Sequence, residues 1–184
     1  MRKLSAFNFI TLNGYFHGPE GDISWHRHGA EENQFAAESM KAENTLLFGR
    51  KTYEMMAGYW PGPMAIENDR EVAEGMNNAD KIVVTRTLKN AAWNNTRILT
   101  GDLVTGINRL KASPGNNITL LGSGSILTQL AENGLIDEYL VMIDPVAIGA
   151  GTPIFDQIGT VLNLKLTQVK SFKSGVVLLG YVPC

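Results

Sequence analysis

Apolar residues come in short runs along this chain, and the runs alternate between two spacings. Residues 44–48, 81–85, 97–100, 118–121 and 138–143 are compact clusters of branched apolar side chains, the signature of buried strands. A first strand over 3–11 precedes them and ends at Asn13-Gly14, a sharp-turn dipeptide. Between the strands the spacing becomes helical. Phe35, Ala36 and Met40 mark one buried face within 30–42; Tyr53, Met56 and Ala57 mark a second, stopped by Gly58 and the loop 60–63. Polar-faced helices are predicted over 67–76 and 102–111, the latter capped by Asp102. Ile126, Leu127, Leu130 and Ala131 define a further helix that Asn133-Gly134 ends. Residues 162–172 and 176–182 pair as a hairpin around Lys173-Ser174-Gly175. Strands alternating with helices and closed by a hairpin predict a three-layer α/β fold. Its central sheet is mixed but mostly parallel, flanked by helices, with an antiparallel C-terminal hairpin.

Two stretches carry no period. Residues 16–29 are polar and glycine-rich and hold all three histidines, His17, His26 and His28. Such a length reads as a functional loop. No helical histidine–carboxylate pair accompanies the histidines, so they are assigned to an exposed loop and no metal is expected. Residues 144–153 form a second loop, punctuated by proline and glycine. Met55, Met56 and Trp60 read as core or dimer contact.

Composition narrows the class. The 184 residues are 44% hydrophobic and 18% charged, as in a single soluble domain with a real core. No internal repeat or interdomain linker is seen. A net charge of -2 gives no reason to expect nucleic acid or an anionic membrane. The one cysteine, Cys184, leaves no intrachain disulfide and no thiolate cluster. No apolar run approaches the roughly 18 residues of a membrane span. Asn8 and Thr11 interrupt the N-terminal run, so it reads as a strand, not a signal peptide, and the expected compartment is the cytoplasm.

The candidate chemistry lies at three strand ends: Gly49-Arg50-Lys51-Thr52, Thr85-Arg86 and Gly122-Ser123-Gly124-Ser125, the last leading into Ile126. Ligands of open α/β sheets bind outside the carboxyl ends of the strands. Each end offers an anion ligand: a cation, a hydroxyl, or backbone amides heading a helix. Each also has a plainer reading, a solvated arginine or a tight turn of small residues. Together they point to a multiply phosphorylated ligand, a dinucleotide. Arg50 and Arg86, whose planar forks suit a phosphate monoester, tilt the choice to NADP.

These residues also carry a resemblance. FGRKTYE is similar to the G-R-x-T-x-E signature of the dihydrofolate reductase superfamily. KIVVTRTL, LLGSGSILTQLAENGLIDEY and DPVAIGAGTPIF resemble segments of its branch named for the C-terminal reductase domain of the riboflavin-biosynthesis enzyme RibD. The similarity runs in order over nearly the whole chain. It implies that Arg50, Lys51 and Thr52 meet the 2′-phosphate and pyrophosphate of NADPH. By the same resemblance Thr85 and Arg86 flank the adenosine, and residues 122–126 take the pyrophosphate. The nicotinamide would lie near residues 10–14.

On the substrate side, the branch has an aspartate where this chain has Asn13. An amide cannot supply a proton as a carboxyl group can. Dihydrofolate reductases place a carboxylate early in the helix after a tryptophan; here Trp25 is followed by Glu31 and Glu32. Either is a candidate acid, or simply a first-turn residue complementing the helix dipole. Asp22 and Trp25 are candidate substrate contacts. The expectation is an NADPH-dependent reductase of a small heteroaromatic or carbonyl substrate. Its rivals are a non-catalytic nucleotide-binding or regulatory module and a purely structural α/β dimer. The second hairpin strand is apolar on both faces (Val176, Val177, Leu178, Leu179, Tyr181), so a homodimer burying that end is expected.

Overall fold

A computed structural model describes residues 1–27 and 29–184. His28 lies outside the described residues. The strands are β1 (Leu4–Thr11), β2 (Tyr15–His17), β3 (Thr45–Gly49), β4 (Lys81–Val84), β5 (Thr96–Leu99), β6 (Ile118–Leu121), β7 (Glu138–Asp144), β8 (Thr152–Pro153), β9 (Leu164–Ser171) and β10 (Val177–Pro183). The helices are α1 (Ala30–Met40), α2 (Arg50–Tyr59), α3 (Pro63–Asn68), α4 (Arg70–Asn78), α5 (Leu103–Ala112) and α6 (Gly124–Glu132). Eight strands form one sheet in the order β5-β4-β3-β6-β1-β7-β10-β9. Every pair from β5 to β7 is parallel, and the β10 pairs with β7 and β9 are antiparallel. The predicted α/β architecture is therefore the one observed. No helix among the described residues is long and apolar enough to cross a membrane.

Side-chain alternation along the strands sorts the core into two layers. Leu4 and Ala6 of β1 join Leu47, Ile118, Leu120, Ile107 of α5 and Leu127 and Leu130 of α6 on one face. Leu46, Phe48 and Val83 face the other way, against Ala37 of α1, Tyr53 of α2 and Val72 and Met76 of α4. A smaller cluster of Met142, Phe172, Val176 and Leu178, with Phe7, Phe9 and Phe35 around it, seats the C-terminal hairpin beside α1. Val177, Leu179 and Tyr181 on the other face of β10 are half-buried. Met56 and Trp60 pack on the core, whereas Met55 is exposed.

The helix predicted over 67–76 is two helices. Pro63 opens α3, and Asp69 breaks the run and caps α4 by accepting from Val72 N at 3.1 Å. Asp102 caps α5 as predicted, accepting from Thr105 N at 2.8 Å. Gly134, with φ +61°, closes the turn after α6. The two unpatterned loops are not independent. β2 pairs antiparallel with β8, and Ile154 N donates to Gly14 O at 2.8 Å. The chains approach so closely that a Cβ at Gly151 would overlap the His17 carbonyl oxygen. This small ribbon places the loop after β1 at the same end of the sheet as the three candidate turns.

Candidate functional site

β3 and β6 are neighbours, so the turns that follow them meet at the carboxyl edge of the sheet. Ser123 ties them together. Its hydroxyl accepts from Gly49 N at 2.8 Å and lies 3.0 Å from both Thr52 Oγ1 and Leu121 O. Gly122 (φ +56°) and Ser123 (φ +63°) are both left-handed, which turns the chain sharply into α6. α4 and α5 are capped by aspartates, whereas α2 and α6, like α1 and α3, begin without a side-chain cap. Two helix N-termini with unsatisfied amides thus stand side by side, an arrangement that favours anions.

The cations arrive differently. Arg50 Nη1 holds both carboxylate oxygens of Glu54, at 3.0 and 2.8 Å, in a surface pair one helical turn apart. Lys51 is exposed. The buried Thr85 hydroxyl accepts from Thr87 N at 3.1 Å and Leu88 N at 3.0 Å, so it shapes the turn that holds the exposed Arg86. Thr52 and Ser123 likewise hold the edge together, leaving amides and cations to face a ligand. Phe16 covers the start of α6: a Cβ at Gly124 would come within 2.6 Å of its ring. Asn8, on β1 just past the residue whose carbonyl accepts from Gly122 N, keeps a buried Nδ2 with no partner among the described residues.

The candidate acids each hold a neighbouring segment. Asn13 accepts from Ile148 N and donates to Ile148 O, pinning the 144–151 loop to the end of β1. Glu31 accepts from Lys173 N and pairs with its ammonium, both at 3.0 Å. Those contacts, the backbone one first, hold its carboxyl below the usual range, so it is ionised at neutral pH. Buried Glu32 accepts from the Ser174 hydroxyl. Both glutamates therefore clamp the hairpin turn onto α1. Asp22 is exposed; hydrogen bonds from Ser24 N and Oγ hold its carboxyl low, and its carbonyl accepts from Trp25 Nε1 at 3.2 Å.

The assignment of His17 and His26 to an exposed loop is corrected by the structure. His17 is half-buried, with Nδ1 2.7 Å from Gly18 O. His26 is buried: its Nδ1 is 2.8 Å from Asp144 Oδ2, and its ring stacks on Phe9 with centroids 3.7 Å apart. Asp144, fully buried, ends β7 opposite Thr11, the end of β1, and its other oxygen accepts from Arg27 N at 2.8 Å. Sequence reasoning missed this pair. The available signal was an aspartate closing an apolar strand, which was read as the start of a loop.

The sequence pattern of the RibD C-terminal domain matches residues 2–178. The chain belongs to the RibD C-terminal domain family. It is 29% identical over 172 residues to the uncharacterized protein YyaP of Bacillus subtilis (strain 168), covering 94% of this chain and 90% of that one. A crystal structure named for riboflavin biosynthesis, from Shewanella sp. PV-4, superposes with a TM-score of 0.76 at 19% identity over 99% of both chains. Dihydrofolate reductase from Enterococcus faecalis, complexed with NADP(H) and RAB-propyl, superposes with a TM-score of 0.66 at 16% identity over 98% of this chain and 96% of that one. The fold is thus the one these dihydrofolate reductase-like structures share.

Proposed function

We propose that this protein is an NADPH-dependent reductase of a small heteroaromatic substrate, pterin- or aminopyrimidine-like, or of a carbonyl compound. The observation that carries the reading is the pair of uncapped helix N-termini at the adjacent ends of β3 and β6. The residues fit a dinucleotide. Residues 122–126 would take the pyrophosphate through the amides of Ser123, Gly124 and Ser125, those of Gly122 and Ile126 being engaged with Phe7 O and Ser123 O; Thr52 and Lys51 would take its flank, and Arg50 and Arg86 the 2′-phosphate, with Gly49 and Thr85 shaping the turns that present them. When bound, the dihydronicotinamide supplies hydride. The chain's part is to orient the ligand, exclude water and provide the proton.

A second reading, a nucleotide-binding module without turnover, is favoured by the engagement of Asn13, Glu31 and Glu32 with neighbouring segments. Thermal shift against NADPH and NADH at equal concentration, followed by oxidation of NADPH with a panel of pterins, pyrimidines and flavins, separates the readings. NADPH is expected to raise the melting temperature more than NADH. Equal shifts would remove the arginine assignment, and no shift with either would remove the dinucleotide. Binding without turnover would leave the module.

The protein works as a homodimer in this reading. The outermost strand β9 leaves Leu166 and Val169 exposed at 49% and 61%, on an edge open to pairing. Sedimentation should give twice the monomer mass at micromolar concentration; a monomer there would exclude it.

A further inference from the structure

We propose that Asn8 is a cofactor-binding residue, its Nδ2 donating to the carboxamide oxygen of the nicotinamide. This deepens the reading above and rests on its dinucleotide. Asn8 is 2% exposed, and its Nδ2 has no hydrogen-bond partner among the described residues. Burying a donor unpaired opposes folding, and nearly all buried polar groups are paired. Local packing does not ask for an amide here. Leu4 and Ala6, which precede it on the same face of β1, are apolar and sit in the core beneath α5 and α6. A leucine would continue that row. The unpaired amide is explained by a partner that arrives with the ligand.

The order of the strands decides which part of the ligand that is. Along the carboxyl edge of the sheet the strands run β4, β3, β6, β1. Arg86 follows β4, Arg50 opens the helix after β3, and the amides of Ser123, Gly124 and Ser125 follow β6. A dinucleotide with its 2′-phosphate at the arginines and its pyrophosphate at those amides carries its nicotinamide half on to β1. Parallel pairing sets Phe7 beside Leu121, and Gly122 N donates to Phe7 O at 3.1 Å. Asn8 is therefore level with the Gly122-Ser123 turn, on the face that α6 covers. A neutral donor suits an uncharged carboxamide, whereas an unpaired cation could not be held in so buried a place.

The structure also shows the cover over this turn. The Phe16 ring lies against the start of α6, where a Cβ on Gly124 would come within 2.6 Å of it. Phe16 belongs to β2, which pairs with β8 and not with the eight-stranded sheet. It can leave α6 while the strands of the main sheet keep their register, and the nicotinamide enters as it does so.

Asn8→Leu, Asn8→Ala and Phe16→Ala are compared with the parent by titration with NADPH and with 2′-phospho-ADP-ribose, which lacks only the nicotinamide. Both Asn8 variants should weaken NADPH about 5–100-fold and leave 2′-phospho-ADP-ribose within about threefold. Without ligand, Asn8→Leu should melt at least about 2 °C above the parent, because it no longer buries an unpaired donor. In ¹⁵N spectra of the parent, the side-chain amide signal absent from both Asn8 variants should move when NADPH is added. Phe16→Ala should take up NADPH at least about threefold faster in stopped flow. NADPH binding by both Asn8 variants within about twofold of the parent overturns the proposal and leaves the dinucleotide reading intact. Equal weakening of the two ligands does the same, as does an Asn8 amide signal unmoved by saturating NADPH. Uptake by Phe16→Ala at the parent's rate also overturns it, since the donor would then have no entrance. A parent that binds neither ligand overturns both.

Discussion

Replacing Lys81 with methionine should cost about 2–4 kcal/mol of stability, or roughly 5–15 °C in Tm. Lys81 opens β4 and is fully buried, yet its ammonium is satisfied. It donates to the carbonyls of Met76 (2.8 Å), Asn77 (3.0 Å) and Ala79 (2.6 Å) at the C-terminus of α4, and lies 4.6 Å from the centre of the Trp93 ring. Methionine would fill much of the volume but leave those carbonyls without a donor where the helix dipole is negative. The pH dependence has a definite sign. Burial pulls Lys81 down to about 8 from its ordinary 10.5, so between these values the unfolded chain binds more protons than the native one. This group's contribution therefore grows as pH rises through that window and is smallest below it. Urea denaturation at pH 7 and 9.5 checks both points. A deficit that narrows at pH 9.5 would contradict the assignment, as would one below about 1 kcal/mol at pH 7.

Arg86→Ala should raise the Kd for NADPH about 10–100-fold and leave NADH within about threefold, the range expected for a lost charge-assisted contact to phosphate. This expectation follows from the proposed function and from the turn that carries Arg86, which Thr85 shapes with a hydroxyl that satisfies two successive amides. Arg50 starts from a different position, paired with Glu54 across one helical turn. Such an exposed pair is worth about 0.3–0.5 kcal/mol, so Glu54→Gln should tighten NADPH binding about twofold. Fluorescence titration with both cofactors measures these effects. Equal weakening of NADPH and NADH by Arg86→Ala would move this arginine away from the 2′-phosphate.

Much of the fold could be read from local pattern. The runs at 44–48, 81–85 and 118–121 are strands because their branched residues leave no polar face, and all three lie inside the sheet with neighbours on both sides. Asp102 and Gly134 end their helices through contacts within a few residues, so their roles are visible in the neighbouring sequence. Two of the three candidate anion turns were legible for the same reason, each being a strand end joined to a helix start, whereas Thr85-Arg86 leads through a loop into β5. β2 and β8 were not legible. Strands of three and two residues show no alternation, and they exist because Gly151 lets one loop lie against the other.

The sequence by itself determined the order of the longer strands and helices, the α/β class and the turns proposed to meet phosphate, since side-chain period and turn chemistry act over a few residues. Only the tertiary structure decided which polar groups are already engaged. Glu31 and Glu32 looked like acids until the hairpin turn, more than 140 positions away, took their carboxylates. His26 looked like a loop residue until the end of β7 brought Asp144 to it across 118 positions. Parallel strands adjacent in the sheet are far apart in the chain, so the contacts at their ends obey no local rule. Pairing and burial are set there by register, which hydrogen bonding across the whole sheet imposes.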